Sequence, residues 1–246
     1  MKILFTLRSF LLVGFLFCGG VSWGQVAGDF RSRTITGNWN DVLSWQRYSG
    51  AVWENSGTGG NNPGQTPAAT SSIWIQTGHT ITVNSAIADC KNLHISGGTT
   101  SGGAGTDGVI AIDANVLQVS GYLRNYWGAS GTTPDLGTQN LNSGLGINVT
   151  TTTGKLSIIG NTRDLTYVGA FAAVNEGLTM EINLNTAQTV SLNTAIKAGT
   201  LNVVNGTIDA KTFSIRLDKG TAGTGDCTIS SGATVISSNT GILTTS

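Results

Sequence analysis

The stretch LHISGG, residues 93–98, contains the pattern that decides the fold: an apolar residue, a polar one, an apolar one, and then a glycine turn. Such period-two alternation is typical of a half-buried strand, with Leu93 and Ile95 on one face and His94 on the other, solvated face. The alternation recurs along the chain as LQVSG (117–121), LSIIGN (156–161), MEINLN (180–185), LNVVNG (201–206), FSIRLDKG (213–220) and CTISSG (227–232).

The spacing of these segments favours stacked repeats over a β-sandwich. Their starts step by 24 residues from Leu93 to Leu117, then by 39, 24 and 21 up to Leu201. The step of 39 could hold two repeats, with LNSGLGINV (141–149) as the intervening strand. Short strands repeated every 20 to 25 residues are typical of a solenoid. We therefore predict an all-β fold, a right-handed parallel β-helix or β-solenoid with an aromatic-rich N-terminal cap.

The composition agrees with many strands and tight turns. Thr and Gly number 35 each and charged residues make up 11% of the chain. Thr favours strands and Gly favours turns. The chain has no basic patch, which makes nucleic acid a poor candidate partner.

The first 24 residues are predicted to be a signal peptide. Lys2 and Arg8 give a basic start, the apolar run FLLVGFLF (10–17) is too short to span a bilayer, and Ser22 and Gly24 precede a cleavage point before Gln25. A lipid anchor on Cys18 is the less favoured alternative. Removing this segment leaves 11 Lys and Arg against 13 Asp and Glu, a net charge of −2. We expect a secreted or cell-surface protein without a transmembrane segment, divided into a cap region at 25–72 and solenoid repeats at 73–246 that continue beyond the chain end.

Tryptophans are concentrated near the start of the predicted mature chain. They lie at 39, 45, 53 and 74, and only Trp127 lies elsewhere in that chain. Large aromatic rings close the end of a core efficiently, so we expect a cap; exposed rings that stack on sugars are the alternative. Tyr48 and Trp53, in the polar stretch QRYSGAVWENSG, are the predicted exposed rings. Tyr126 and Trp127 are adjacent, so one of them should face solvent.

The segments GNWNDVLSWQRYSGAVWENSG (37–57) and SSIWIQTGHTITVNSAIADCKNLHISGG (71–98) resemble the N-terminal module of large secreted surface proteins of the Bacteroidetes. They are also distantly similar to the eight-glycine domain that precedes β-helices. The resemblance covers residues 28–120 by motif. It implies export, often through type IX secretion, and an adhesin-like role. A C-terminal sorting domain, usual in those proteins, is not found in this sequence.

Catalytic and metal-binding patterns are weak. The acidic residues are dispersed, and the best group for a polysaccharide lyase or hydrolase is Asp209, Asp218 and Asp226 with Arg216. His79 lacks ligand-spaced partners and is predicted to cap a turn. Cys90 and Cys227 occupy apolar strand positions and are predicted to be free buried thiols. We predict no cofactor and no metal.

The expected function is that of a non-enzymatic adhesin-like scaffold or stalk that contacts extracellular polysaccharide or matrix. Binding is expected through loops at 54–72, 96–108 and 125–144 and through Tyr48, Trp53, Tyr126 and Trp127. The alternative is the N-terminal part of a β-helix enzyme that processes polysaccharide. An open solenoid end also predicts self-association.

Overall fold

The computed structural model describes residues 25–56, 65–96, 108–126, 147–148, 154–160, 164–165, 177–192, 195–219, 225–238 and 243–245. In these residues the protein is all-β. No α-helix occurs among them, and a single 3-10 turn covers Val42–Ser44, with the Asp41 side chain accepting from Leu43 N–H at its start.

The strands are short, as expected from the frequent Gly, Asn and Thr-rich turns. In chain order they are β1 Phe30–Ser32, β2 Thr36–Asn38, β3 Trp45–Tyr48, β4 Trp53–Asn55, β5 Ser72–Ile75, β6 Thr80–Thr82, β7 Ile87–Cys90, β8 Asn92–Ser96, β9 Val109–Ala111, β10 Val116–Val119, β11 Leu123–Tyr126, β12 Ile147–Asn148, β13 Lys155–Gly160, β14 Asp164–Leu165, β15 Thr179–Leu184, β16 Thr189–Leu192, β17 Ile196–Ala198, β18 Thr200–Asn205, β19 Thr207–Asp209, β20 Ile215–Leu217, β21 Asp226–Ile229, β22 Thr234–Ile236 and β23 Leu243–Thr245.

Successive strands along the chain belong to different sheets, in an order that repeats every three strands. From β5 to β14 they belong in turn to a ten-stranded, a four-stranded and a six-stranded sheet, and from β15 to β23 to the six-stranded, the ten-stranded and a three-stranded sheet. From β5 onward every strand pairing is parallel, for example β10 with β13 and β18 with β21. We call one strand from each of three sheets a layer. Consecutive layers are therefore joined by parallel ladders.

Each ladder aligns apolar residues into continuous rows through the core. In the six-stranded sheet, Leu117 pairs with Leu156, Leu156 with Met180, and Met180 with Leu201. All four side chains are buried. The step of 39 residues from Leu117 to Leu156 is thus one layer and not two.

Two of the predicted repeat starts belong to different sheets. Leu93 pairs with Leu123 in the ten-stranded sheet, whereas Leu117 pairs with Ala88 in the six-stranded sheet. The 24-residue step from Leu93 to Leu117 therefore does not measure a repeat. Alternation identifies a strand, but the sheet to which it belongs depends on the lengths of the connections.

Polar side chains form hydrogen bonds with the backbone where the chain enters strands of the ten-stranded sheet, at the starts of β5, β8 and β11. The Asp29 carboxylate accepts from the N–H groups of Val26 (2.8 Å) and Ser72 (3.0 Å). Asn92 donates to Ser72 Oγ at 2.9 Å and accepts from Tyr122 N–H at 2.8 Å. Burial raises the pKa of Asp29, and those backbone hydrogen bonds oppose the shift. These side chains supply hydrogen-bond partners for backbone N–H groups at this position.

Glycine allows one close approach between neighbouring layers. Gly206, between β18 and β19, has φ +83°, and a Cβ at this position would lie 2.7 Å from Leu184 Cβ. Both the left-handed backbone and the contact exclude a larger residue.

The first layer is closed by three aromatic side chains and an antiparallel hairpin. β1 pairs in parallel with β5 and antiparallel with β3, which pairs antiparallel with β4. Phe30, Trp39 and Trp45 are buried in the core, and we call them the inner aromatic cluster. Trp45 packs edge-on against Trp39 at 5.4 Å and Phe30 at 6.4 Å. Trp39 and Trp45, two of the four tryptophans predicted to form the cap, are therefore part of the buried core.

The last described layer is less covered. Ile229 is 48% exposed, whereas Val203, its partner in register, is fully buried. Cys227 and Val235 are partly buried against the core. Self-association through this end stays a prediction. Both cysteines of the described chain are free, as predicted, although only Cys90 is fully buried.

Candidate functional site: an outer aromatic row

A row of aromatic rings crosses the outward face of the ten-stranded sheet. Alternation turns Ile73 and Ile75 of β5 into the core and Trp74 away from it. In register, Trp74 pairs with Arg31 on one side and with His94 on the other. The same outward face continues over the hairpin to Tyr48 and Trp53. We call Tyr48, Trp53, Trp74 and His94 the outer aromatic row.

Tyr48 and Trp53 form the part of this row that solvent reaches. They are directly opposite each other on β3 and β4. Their ring centroids lie 5.1 Å apart with an interplanar angle of 52°. Both side chains are half-buried. Two residues singled out from the sequence are thus brought together, on the outside of the fold.

A guanidinium group accompanies the ring pair. Arg31 Cζ lies 4.8 Å from the centre of the Trp53 ring, which is cation–π geometry. Arg31 Nε donates to Gln46 Oε1 at 2.6 Å, and Gln46 Nε2 donates to Asn55 Oδ1 at 2.9 Å. This chain of side-chain hydrogen bonds runs across β1, β3 and β4 and holds the guanidinium beside the indole.

Trp74 and His94 form the covered part of the row. Their rings stack at 4.6 Å with an interplanar angle of 17°, and Trp53 packs edge-on against Trp74 at 6.2 Å. His94 faces outward as predicted, but the prediction that it is solvated was wrong, because it is only 4% exposed beside Trp74. Trp74 is 5% exposed, and its Nε1 has no hydrogen-bond acceptor among the described residues.

His79 lies at the corner beside this row. Its Nδ1 is 2.9 Å from Ser32 Oγ, which accepts from Gln76 N–H at 2.9 Å. The backbone N–H of His79 donates to the Gln76 carbonyl at 3.0 Å and closes a turn, so the predicted position of His79 in a turn is confirmed. Burial lowers the pKa of His79, the hydrogen bond to Ser32 opposes this, and the positive charge of Arg31 adds to the lowering.

The other predicted binding residues are only partly described. Tyr126 is the last residue of β11, and its backbone pairs with Ser96. Trp127 lies outside the described residues, as do 57–64, 97–107 and 127–144 of the predicted binding loops.

The predicted acidic group is engaged in ion pairs and turns. Asp218 binds Lys197 at 3.1 Å and Arg216 at 3.0 Å, and Asp226 pairs with Lys219. Asp209 accepts from Lys211 N–H at 2.9 Å. In the described part of the chain, no group of three or more His, Cys, Asp or Glu side chains could hold a metal ion. No described helix is long and apolar enough to cross a membrane.

A comparison with models of protein families, with curated proteins and with solved structures found no match. The candidate site therefore depends on its own geometry. Arg31 and Gln46 were not singled out from the sequence. Their alternation with buried Phe30 and Trp45 gives an outward direction, but the contact of Arg31 with Trp53 requires the register of three strands.

Proposed function

We propose that the chain is a β-solenoid that acts as an exported, adhesin-like scaffold and binds polysaccharide through Tyr48 and Trp53. The cyclic order of strands supports the solenoid, since each layer passes through three sheets before the next begins. Such a stack buries a row of apolar residues that one layer cannot bury alone. Export rests on the predicted signal peptide, residues 1–24, which lie outside the described residues.

The observation that carries the binding role is the Tyr48–Trp53 pair on the outward face. The core already contains Phe30, Trp39 and Trp45, so the outer rings are not needed to close it. Apolar sugar faces pack on aromatic rings, and the ring pair offers two such surfaces side by side. Fully burying a large apolar side chain contributes about 1.5–3 kcal/mol, and covering the exposed part of a half-buried ring contributes up to about 1.5 kcal/mol.

Affinity electrophoresis in gels that contain single polysaccharides tests this function. The protein without residues 1–24 is compared with Trp53→Ala, Tyr48→Ala and the control Ile87→Ala. Ile87 is 55% exposed on a different sheet, so its replacement removes exposed apolar surface away from the rings. We expect either ring variant to bind about tenfold more weakly or worse, and the control to bind normally.

Incubating the protein with the same polysaccharides in solution distinguishes a binding protein from the alternative, an enzyme that cuts them. A binding protein leaves the polymer length unchanged. New reducing ends or unsaturated products that persist in Trp53→Ala would favour the enzyme, and equal binding by all variants would exclude the ring pair.

A further inference from the structure

We infer that the ligand of the outer aromatic row is an anionic polysaccharide, whose carboxylate or sulfate group is bound by Arg31. This inference rests on the proposed binding function and adds the charge of the ligand.

The first support is the distribution of charge on this face. The outward positions of β1, β3, β4, β5 and β8 are Arg31, Gln46, Tyr48, Trp53, Asn55, Ser72, Trp74, Asn92, His94 and Ser96. Within these five strands, no carboxylate lies at an outward position and Arg31 supplies a permanent positive charge. Glu54, the acidic residue of β4, alternates with Trp53 and pairs in register with Arg47 instead.

The second support is the position of the guanidinium. It lies over the Trp53 ring at 4.8 Å and is held by Gln46. A sugar that packs on Trp53 therefore places its substituents beside a planar donor group. Guanidinium binds carboxylate and sulfate with paired, charge-assisted hydrogen bonds, which are stronger than neutral ones.

The third support is a surplus of hydrogen-bond donors. The indole nitrogens of Trp53 and Trp74 donate and do not accept. Trp74 Nε1 is buried without an acceptor among the described residues. A buried donor without a partner costs about 1–3 kcal/mol, so acceptor oxygens on a ligand would complement this row.

The test uses polygalacturonate and its fully methyl-esterified form, two polymers that differ in charge but share a backbone. Binding to the wild-type protein and to Arg31→Gln, Arg31→Lys and Arg33→Gln is measured by isothermal titration calorimetry. Arg33 is exposed and follows the end of β1, so Arg33→Gln removes the same charge but keeps the guanidinium that lies beside Trp53. Thermal melts check that each variant is folded.

We expect the wild type to bind the acid form at least about tenfold more tightly than the ester, and Arg31→Gln to bind the acid about tenfold to a hundredfold more weakly. Arg31→Lys should be intermediate, and Arg33→Gln near wild type. Equal binding of acid and ester overturns the inference but leaves the proposed function standing. Equal losses in Arg31→Gln and Arg33→Gln also overturn it, since they would show general attraction only. Binding of neither polymer, nor of any polymer in the gel series, would overturn both.

Discussion

The inner aromatic cluster and the outer aromatic row lie close together in the chain and use the same residue type for different purposes. Trp45 is fully buried, and its Nε1 donates to the Trp39 carbonyl at 2.8 Å. Trp53, eight residues later, is half-buried and lies beside Tyr48 and Arg31. The inner rings are satisfied by their own chain, whereas the outer rings leave both surface and a donor unused. This difference is the reason why the proposed binding role is assigned to the outer rings and a stabilising role to the inner ones.

The largest expected effect is on the free energy of unfolding, and it should distinguish the inner aromatic cluster from the outer aromatic row. Trp45→Ala removes the ring that packs against both Trp39 and Phe30 and leaves a cavity, so the free energy of unfolding should fall by about 3–5 kcal/mol. Trp53→Ala should cost about 1 kcal/mol, because mainly ring contacts are lost. Urea unfolding followed by circular dichroism measures both. Equal losses would mean that the outer row also closes the core.

A smaller change sharpens the comparison by replacing the indole with a phenyl ring, which removes the N–H donor together with part of the ring. Trp45→Phe deprives the Trp39 carbonyl of its donor and should cost about 1–3 kcal/mol. Trp74→Phe removes a buried donor that has no acceptor among the described residues, so it should cost less than Trp45→Phe by about 1–3 kcal/mol. A large loss for Trp74→Phe would reveal a bond at its Nε1 and weaken the case for an acceptor-rich ligand.

Acid should destabilise the folded protein through His79, which lies beside the outer aromatic row. The pKa of His79 is lowered in the folded state, so the unfolded chain binds the proton more readily and stability falls as the pH drops through about 6.5. The midpoint of urea unfolding should therefore decrease between about pH 7.5 and about pH 5.5. His79→Gln keeps His94 and should reduce the decrease. An unchanged pH dependence in His79→Gln would show that another titratable group causes the loss of stability in acid.

The smallest expected effect links Arg31 to His79. The positive charge of Arg31 is a minor contribution to the lowered pKa of His79, behind burial. Arg31→Gln should therefore raise the pKa of His79 slightly. A titration followed by NMR of the imidazole protons measures this, with Arg33→Gln as the control. An unchanged pKa of His79 in Arg31→Gln would mean that the guanidinium of Arg31 lies too far from His79 to affect it.

The sequence predicts the strands better than their partners. Alternation at Leu156, Met180 and Leu201 identifies three strands that do pair in register. It does not show that Leu93 belongs to another sheet, because that depends on connections whose lengths vary. Likewise, Tyr48 and Trp53 can be singled out from their polar surroundings, since a short hairpin brings them together. Trp74 and His94 meet only through the stacking of layers, which no local pattern contains.

The cyclic order of strands also determines how such a molecule changes in length. Each layer contacts chiefly the layers before and after it, so inserting or duplicating a whole layer adds about 4.8 Å along the axis and leaves the other contacts unchanged. An insertion of one residue within a strand would instead reverse the orientation of every side chain after it in that strand. Gene duplication in units of whole layers is therefore the route by which this architecture can lengthen without losing its core.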